Sequence, residues 1–267
     1  MTAPDPFEEH LSRWQAWAEE PWGRLRFAIV RHTLAPHVAA LGAGPLRVLD
    51  VGGGDGRDSL PLAEAGHDVV VVDTAPAMLA EARRRAADAG VPDRVRVVCA
   101  GLDDLPGADL PGADLPGDGF DLVLCHFLLH YRPEPAEDVA RLASLLRPGG
   151  RLSVIAPNPD GLVLQRLVRG GPGAALEELA REDWHTVTFD EAGHKLTHEA
   201  AASALEAAGL EVVGRYGGRC ANDLLTDDEA KHDPDYYAAL ERLELTLCDR
   251  EPFWRLGTFW QLVARRP

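Results

Sequence analysis

The stretch from Val48 to Gly56 constrains the fold more than any other part of the chain. Apolar residues lead up to Asp50, and glycine then stands at positions 52–54 and 56. An apolar run of strand length that ends in glycines is typical of a buried strand entering a tight turn. Glycine is needed where the backbone takes positive φ or comes close to a ligand. The segment that follows has a helical pattern, and its N-terminus would favour an anionic group in the turn.

The next predicted strand, 68–73, ends in an acid, Asp73. In a strand–turn–helix–strand unit, an acid at this place can accept hydrogen bonds from a ribose diol. The glycine loop and the acid together therefore indicate a nucleoside-containing ligand. The loop spacing, Gly52-x-Gly54-x-Gly56, differs from the G-x-G-x-x-G of nicotinamide and flavin sites. A purely structural turn in another α/β protein is the alternative.

Strands and helices alternate along the chain. The predicted strands are 46–51, 68–73, 94–99, 120–125, 151–156, 210–216 and 259–264, and the predicted helices between them include 57–65, 76–89, 136–146 and 197–209. Such alternation implies a parallel sheet with right-handed crossovers. The last strands fit an antiparallel edge. We therefore expect an α/β, Rossmann-like fold with a mostly parallel seven-stranded sheet, an antiparallel edge strand and helices on both faces.

The 267 residues, 46% of them hydrophobic, are enough for one substantial core. We expect a single domain, 1–267. Its first part, 1–44, has an amphipathic, aromatic-rich pattern and is predicted to form an N-terminal helical cap. Residues 157–197 change register and are predicted to be an insertion that covers the substrate. The Pro-Gly-Ala-Asp-Leu repeat at 105–119 predicts a surface loop without chemistry, with a functional lid as the alternative.

Composition excludes several classes of protein. The formal net charge of −16 gives no general attraction to nucleic acid or anionic membrane, although local arginines could supply it. The four cysteines are far apart and form no C-x-x-C pair, so neither a zinc site nor a disulfide framework is indicated. No basic segment followed by an apolar one opens the chain, and no apolar run approaches the ~20 residues of a membrane span. We expect a soluble, cytoplasmic protein without a metal or a membrane partner.

Several motifs together resemble class I S-adenosylmethionine (SAM) dependent methyltransferases over roughly residues 45–156. They are Val48–Gly56, Asp73, Phe120–Val123 and Leu145–Gly150. Motifs outside this region resemble the bacterial tRNA 5-carboxymethoxyuridine methyltransferase family, which esterifies the carboxylate of a modified wobble uridine. These are Gly23-x-Leu25-Arg26, Asn158-x-x-Gly161-Leu162, Gly218-Arg219, Glu251–Phe253, Leu256-Gly257 and Ala264–Pro267.

The resemblance implies SAM as the cofactor. The residues matching the family's SAM contacts are Arg26, Gly52, Gly53, Asp73, Gly101, Leu102 and His126. Arg26 is suited to the methionine carboxylate, because a guanidinium binds carboxylate through two hydrogen bonds. At the strand ends we add Gly54 to the loop and Asp103, with Asp104 as an equal competitor, as the acceptor from the adenine amino group. Leu102 would then cover the adenine ring.

The acceptor side is less constrained. Arg219 matches an arginine near the substrate carboxylate, and Trp184 and Tyr216 are predicted to wall the substrate pocket. A carboxylate nucleophile needs no general base, whereas a hydroxyl or amine can require one. The catalytic candidates are therefore Arg219 and a histidine: His126 first, with His130 and His185 behind it.

Three functions remain open from the sequence: O-methylation of a tRNA uridine carboxylate, O- or N-methylation of a small metabolite, and SAM binding without catalysis. A basic stripe around the pocket would favour tRNA, and a closed aromatic pocket would favour a metabolite. The stripe would consist of Arg24, Arg31, Arg166, Arg169, Arg215 and Arg219. The aromatic pocket would consist of Phe127, Trp184 and Tyr216.

Overall fold

The structure is a computed structural model that describes residues 11–105, 119–186 and 191–267, without the side chains at 184–186, 191 and 192. The predicted repeat loop lies outside the described residues except at its two ends. The predicted helices 76–89, 136–146 and 197–209 begin within one residue of the observed starts. They are α1 (Leu11–Glu19), α2 (Pro21–Ala39), α3 (Leu60–Glu64), α4 (Pro76–Asp88), α5 (Pro135–Ser144), α6 (Pro159–Ala180), α7 (His198–Ala207) and α8 (Pro234–Leu247).

The strands are β1 (Arg47–Val51), β2 (Asp68–Asp73), β3 (Val95–Cys99), β4 (Phe120–His126), β5 (Leu146–Pro157), β6 (Asp183–Thr186), β7 (Glu191–His194), β8 (Glu211–Gly218) and β9 (Phe259–Arg265). Within the described ranges, seven of them form one sheet in the order β3-β2-β1-β4-β5-β9-β8. The first five strands are mutually parallel, and β9 runs antiparallel to both β5 and β8. The predicted fold class is confirmed, with the antiparallel strand lying between β5 and the edge strand β8.

Both faces of the sheet are covered, which is why its central strands read as nearly continuous apolar runs. Adjacent residues of β1 point to opposite sides: Val48 packs in the cluster under α2 and α8, and Leu49 packs in the cluster under α5 and α7. The chain passes from β1 to β2 on one side and later to β4 on the other. This reversal of strand order opens a crevice at the carboxyl ends of β1 and β4.

Glycine at position 23 lets α1 approach α2 closely. A Cβ built on Gly23 would lie 2.2 Å from the carbonyl oxygen of Trp17, so only glycine fits there. The sequence Pro21-Trp22-Gly23 predicts a break between two helices. The structure places the break one residue earlier, at Glu20, and these three residues form the first turn of α2. The contact holds α1 over the carboxyl end of the sheet.

Several element boundaries differ from the sequence prediction, and three of these differences change the local structure. Helix α3 is shorter than 57–65, because the backbone from Gly56 to Ser59 is turned at the crevice. Residues 147–150 have the sequence Arg-Pro-Gly-Gly, which predicts a turn, but they lie inside β5, where Gly149 takes φ 79° and the backbone of residues 149 and 150 bonds to that of Arg266. Helix α6 extends to Ala180, with its predicted break present as one non-helical residue, Gly171.

After α6, strands β6 and β7 form an antiparallel hairpin. A Cβ on Gly193 would lie 2.5 Å from the carbonyl oxygen of His130, so the hairpin backbone packs directly on the segment after β4. The covering role of 157–197 stays a prediction, but this contact brings the insertion to the crevice. Among the described residues, no helix has the length and apolarity that crossing a membrane requires.

Candidate active site

A cavity of about 360 Å³ lies at the carboxyl ends of β1 and β4. It collects most of the predicted site residues: Arg26, Gly52, Gly53, Gly54, Asp73, Gly101, Leu102, His126 and Arg219. They come from α2 and from segments after five different strands. The fold alone therefore assembles them, as expected for the crevice of an open α/β sheet.

The glycine loop presents bare backbone to this cavity. Gly52 and Gly54 take φ values of 67° and 53°, which side chains of L-residues rarely adopt. A Cβ on Gly53 would lie 2.6 Å from the side-chain carbon of Asp50 and 2.8 Å from Val71. The loop leaves room for a ligand that lies against its backbone.

Two carboxylates flank the loop. Asp73 accepts a hydrogen bond from the Gly54 N–H at 2.8 Å and another from the Ala75 N–H at 2.9 Å, which fixes it beside the loop. Asp50, which the sequence analysis did not single out, is buried, and its Oδ2 has no hydrogen-bond partner among the described residues. Burial, reinforced by the charge of Asp58, raises the pKa of Asp50 to about 7. An unpartnered buried carboxylate oxygen suits a cationic ligand group.

Arg26 is held by a carboxylate that sequence reasoning missed. Both terminal nitrogens of its guanidinium donate to Asp58, one at 2.7 Å, and the ion pair is almost fully buried. The same guanidinium lies over the rings of Phe27 and Phe127. Burial opposes ionisation of Asp58, but Arg26 and His126 together hold its pKa well below the ordinary value.

His126 has both ring nitrogens engaged. Nδ1 lies 2.8 Å from Asp58 and Nε2 lies 2.9 Å from the hydroxyl of Ser153. An ionised carboxylate only accepts hydrogen bonds, so Nδ1 carries the proton and Nε2 accepts from Ser153. Burial lowers the pKa of His126, which keeps the ring neutral. The expectation that His126 takes a substrate proton is therefore not supported.

Residues that follow β4, β5 and β8 line one part of the cavity, which is predicted to take the methyl acceptor and which we call the acceptor half. Phe127 and Arg219 line it, and they are the two non-glycine residues in the described chain with positive φ, 55° and 59°. Arg219 donates to Asp223 at 2.5 Å, and Asp223 also accepts from Thr258 at 2.6 Å. The Nε of Arg219 is buried and has no partner among the described residues.

Two further predicted residues lie elsewhere. Asp103 is mostly exposed and its carboxylate accepts from Arg132 at 2.7 Å and Arg141 at 2.9 Å, so it faces these cations rather than the cavity. Asp104 caps the Gly101 N–H instead. Tyr216 lies inside β8, where its hydroxyl is 2.7 Å from His37, and it does not line the cavity. Trp184 is on β6, and its side chain lies outside the described residues.

Aromatic side chains from α1 also line the cavity. Trp14 and Trp17 line the cavity as a stacked pair with centroids 5.1 Å apart. Arg57 fastens this helix to the loop, because its guanidinium donates to Glu19 at 2.7 Å and to Asp55 at 3.1 Å. The N-terminal helix α1 therefore meets the site, while the helical cap over residues 1–44 stays a prediction.

The two arrangements proposed to separate the substrate classes are each incomplete. Arg169 is paired with Asp228 at 3.0 Å, Arg166 lies 3.7 Å from Glu178, and Arg219 is paired as above. These acids neutralise half of the predicted basic stripe. The aromatic pocket has Phe127 but not Tyr216. No group of histidine, cysteine and acidic residues suited to a metal ion occurs in the part of the chain that the structure describes.

Known proteins match both the sequence and the fold. Residues 48–150 match the family model of a methyltransferase domain. Over 246 residues the chain is 32% identical to the tRNA 5-carboxymethoxyuridine methyltransferase of Escherichia coli K12, covering 92% of this chain and 89% of that protein. A ubiquinone biosynthesis O-methyltransferase of Xanthomonas euvesicatoria is 39% identical over 106 residues, covering 40% and 41% of the two chains.

Among solved structures, the magnesium protoporphyrin IX methyltransferase of Synechocystis PCC 6803 with bound SAH (S-adenosylhomocysteine) has a TM-score of 0.64 at 19% identity. The match covers 98% of this chain and 97% of that one. At this identity the likeness shows the fold alone.

Proposed function

Since the chain belongs to the class I SAM-dependent methyltransferases, in one family with the E. coli tRNA 5-carboxymethoxyuridine methyltransferase, we propose that it methylates a carboxylate, that of 5-carboxymethoxyuridine in tRNA. The observation that carries the proposal is Arg219. Its side chain lines the acceptor half of the cavity, and its Nε–H has no acceptor among the described residues. A substrate carboxylate would supply that acceptor.

The cavity fits SAM by the chemistry of its lining. The glycine loop is open to a ligand backbone, and the unpartnered oxygen of Asp50 suits an ammonium group. We assign Arg26 to the methionine carboxylate and Asp73 to the ribose hydroxyls. An arginine has five N–H donors, so Arg26 retains donors beside those that Asp58 occupies. Leu102, buried at the end of the third parallel strand, would cover the adenine ring.

When bound, SAM supplies a methyl group that its positive sulfur has already activated. The task left to the protein is alignment and exclusion of water. Arg219 would orient the acceptor carboxylate, while Phe127 and Phe259, 5.7 Å apart, wall the acceptor half. A carboxylate attacks without losing a proton. Burial lowers the pKa of His130 to about 3, so this cavity-lining histidine is a poor base, which favours an acceptor that needs none.

The test is mass spectrometry of nucleosides from tRNA that carries 5-carboxymethoxyuridine, after incubation with the protein and methyl-deuterated SAM. We expect a labelled methyl ester that mild alkali removes. The same tRNA without the carboxymethoxy group is the control and should remain unlabelled. A label that resists alkali, or no label, would contradict the proposal.

The second candidate is O-methylation of a small metabolite. It is favoured by the net charge of −16 and by the acids that pair with Arg166 and Arg169, which weaken attraction to phosphates. Methyl transfer to small aromatic or aliphatic carboxylates, with none to tRNA, would select it.

Cofactor affinity should depend on pH through Asp50. The carboxyl is protonated below its pKa of about 7 and must ionise to accept an ammonium group. The Kd for SAH should therefore rise by about tenfold for each pH unit below that value and level off above it. Calorimetry across this range, in buffers of different ionisation enthalpy, measures both the affinity and the proton released. Asp50→Asn should bind more weakly with a flat profile; a flat profile in the unaltered protein would refute the role of Asp50.

A further inference from the structure

A chain of hydrogen-bonded, buried polar side chains starts at the cavity on α2, runs across strands β4, β5 and β9, and returns to α2. Ser153 on β5 and Gln261 on β9 are both fully buried, and their neighbours on either side in the strand are apolar. Burying polar groups in this way is costly unless every group is paired. The six members, which we call the polar ring, are Arg26, Asp58, His126, Ser153, Gln261 and Thr33.

Each link of the polar ring is a hydrogen bond of ordinary length or shorter. Beyond His126, the amide nitrogen of Gln261 donates to the Ser153 hydroxyl at 2.9 Å. The Gln261 oxygen accepts from Thr33 at 2.5 Å. Thr33 lies on α2, two turns after Arg26 and on the same face. The chain therefore closes on a single helix.

The Thr33 hydroxyl has one proton for two acceptors, the Gln261 oxygen and the Val30 carbonyl oxygen at 3.0 Å. With the Gln261 amide oriented as these contacts give it, its NH2 group faces Ser153. Gln261 donates to Ser153, so the Ser153 hydroxyl is free to donate to His126 Nε2. That leaves the His126 proton on Nδ1, where the ionised Asp58 accepts it. Asp58 in turn orients the Arg26 guanidinium through two hydrogen bonds. The other neutral tautomer of His126 would leave a bare Nδ1 facing the Asp58 carboxylate, which are two acceptors.

We propose that the polar ring positions Arg26 for the cofactor carboxylate. Asp58, Ser153 and Gln261 are then positioning residues for SAM binding, and Ser153 and Gln261 act without contacting SAM. The inference rests on the assignment of Arg26 in the proposed function. It does not depend on which acceptor is methylated. A hydroxyl in the middle of the sheet thereby affects the site through three intervening side chains.

The first test is the affinity for SAH, measured by calorimetry. Ser153→Ala removes the donor to His126 Nε2 and leaves the Gln261 amide without its acceptor. We expect the Kd to rise about tenfold, because hydrogen bonds in a buried network depend on one another. Ser144→Ala, an exposed serine at the end of α5, is the matched control and should stay within twofold.

Asp58→Asn tests whether the members act as one unit. Each single variant should weaken SAH binding about tenfold, and the double variant with Ser153→Ala should be little weaker than either, since both break the same chain. Additive losses would overturn the proposal. So would an unchanged Kd for Ser153→Ala in a protein where Arg26→Ala weakens binding. If Arg26→Ala itself leaves the Kd unchanged, the premise fails and the polar ring has no role in binding.

A second readout needs no variant and so does not depend on whether one folds. Nitrogen–proton correlation spectra of the unaltered, ¹⁵N-labelled protein report which ring nitrogen of His126 carries the proton. The polar ring requires Nδ1–H and a bare Nε2 at neutral pH. A proton on Nε2, or on both nitrogens, would refute the assignment.

Discussion

Replacing Arg219 by alanine is expected to lower kcat/KM for tRNA carrying 5-carboxymethoxyuridine by about a hundredfold, while the Kd for SAH stays within twofold. A charge-assisted, two-bonded contact to a carboxylate contributes roughly 1.5–3 kcal/mol, which corresponds to a loss of this size. The affinity for SAH should not change, because Arg219 lies in the acceptor half of the cavity, away from the glycine loop. Labelled-methyl transfer and calorimetry provide the two measurements.

Arg219→Ala also leaves the buried Asp223 without its cation. Burial opposes ionisation of Asp223, and Arg219 is the main group that holds its pKa down. The variant should therefore be paired with Asp223→Asn in the Arg219→Ala background, which removes the unpaired charge. Arg265→Ala, at the opposite end of the sheet where Arg265 pairs with Glu211, is the control for loss of an arginine. Equal losses of SAH affinity and of turnover would place Arg219 with the cofactor instead.

Asp73→Ala is expected to weaken SAH binding by at least tenfold. The Asp73 carboxylate accepts hydrogen bonds from the Gly54 and Ala75 N–H groups. Because a carboxylate can accept about four hydrogen bonds, it can also accept from a ribose diol. Its removal costs both the sugar contact and the fixed conformation of the loop. Asp68→Ala is the matched control, since Asp68 begins the same strand and is exposed at the other end.

Asp73→Asn separates these two contributions. Asparagine keeps one oxygen and can hold one of the two backbone N–H groups, so the loop should suffer less than the sugar contact. Thermal unfolding of the SAH-free variants measures the loss of stability from the loop, and calorimetry measures the loss of affinity for SAH. Unchanged affinity in Asp73→Ala would refute the ribose assignment.

The features that sequence predicted best are local ones. The glycine loop and Asp73 belong to one strand–turn–helix–strand unit, so a short stretch of sequence is enough to predict that they lie close together. The alternation of elements likewise predicted a parallel sheet with right-handed crossovers, although not the order of its strands. The strands predicted at 210–216 and 259–264 were also indicated by local apolar patterns.

The errors and omissions concern partners that are remote in sequence. Asp103 was assigned to adenine, but two arginines, 29 and 38 positions away, take its carboxylate. Tyr216 lies within β8, and its side chain points toward His37 on α2. Arg219 follows the end of β8, where the backbone turns toward the cavity. No local pattern joins Ser153 to Gln261, 108 positions apart. The sequence signal that was present is a polar residue in the middle of an apolar strand.

The left-handed backbone at Phe127 and Arg219 has a consequence for engineering. A bulky side chain in this conformation stores a free energy of order 1–3 kcal/mol that the surrounding fold must offset. Glycine at either position would release it. That release is outweighed, because glycine at 127 removes the ring that packs against Arg26 and Phe259, and glycine at 219 leaves the buried Asp223 without its cation. A screen for heat tolerance alone should therefore retain both side chains, although each holds its own backbone in a costly conformation.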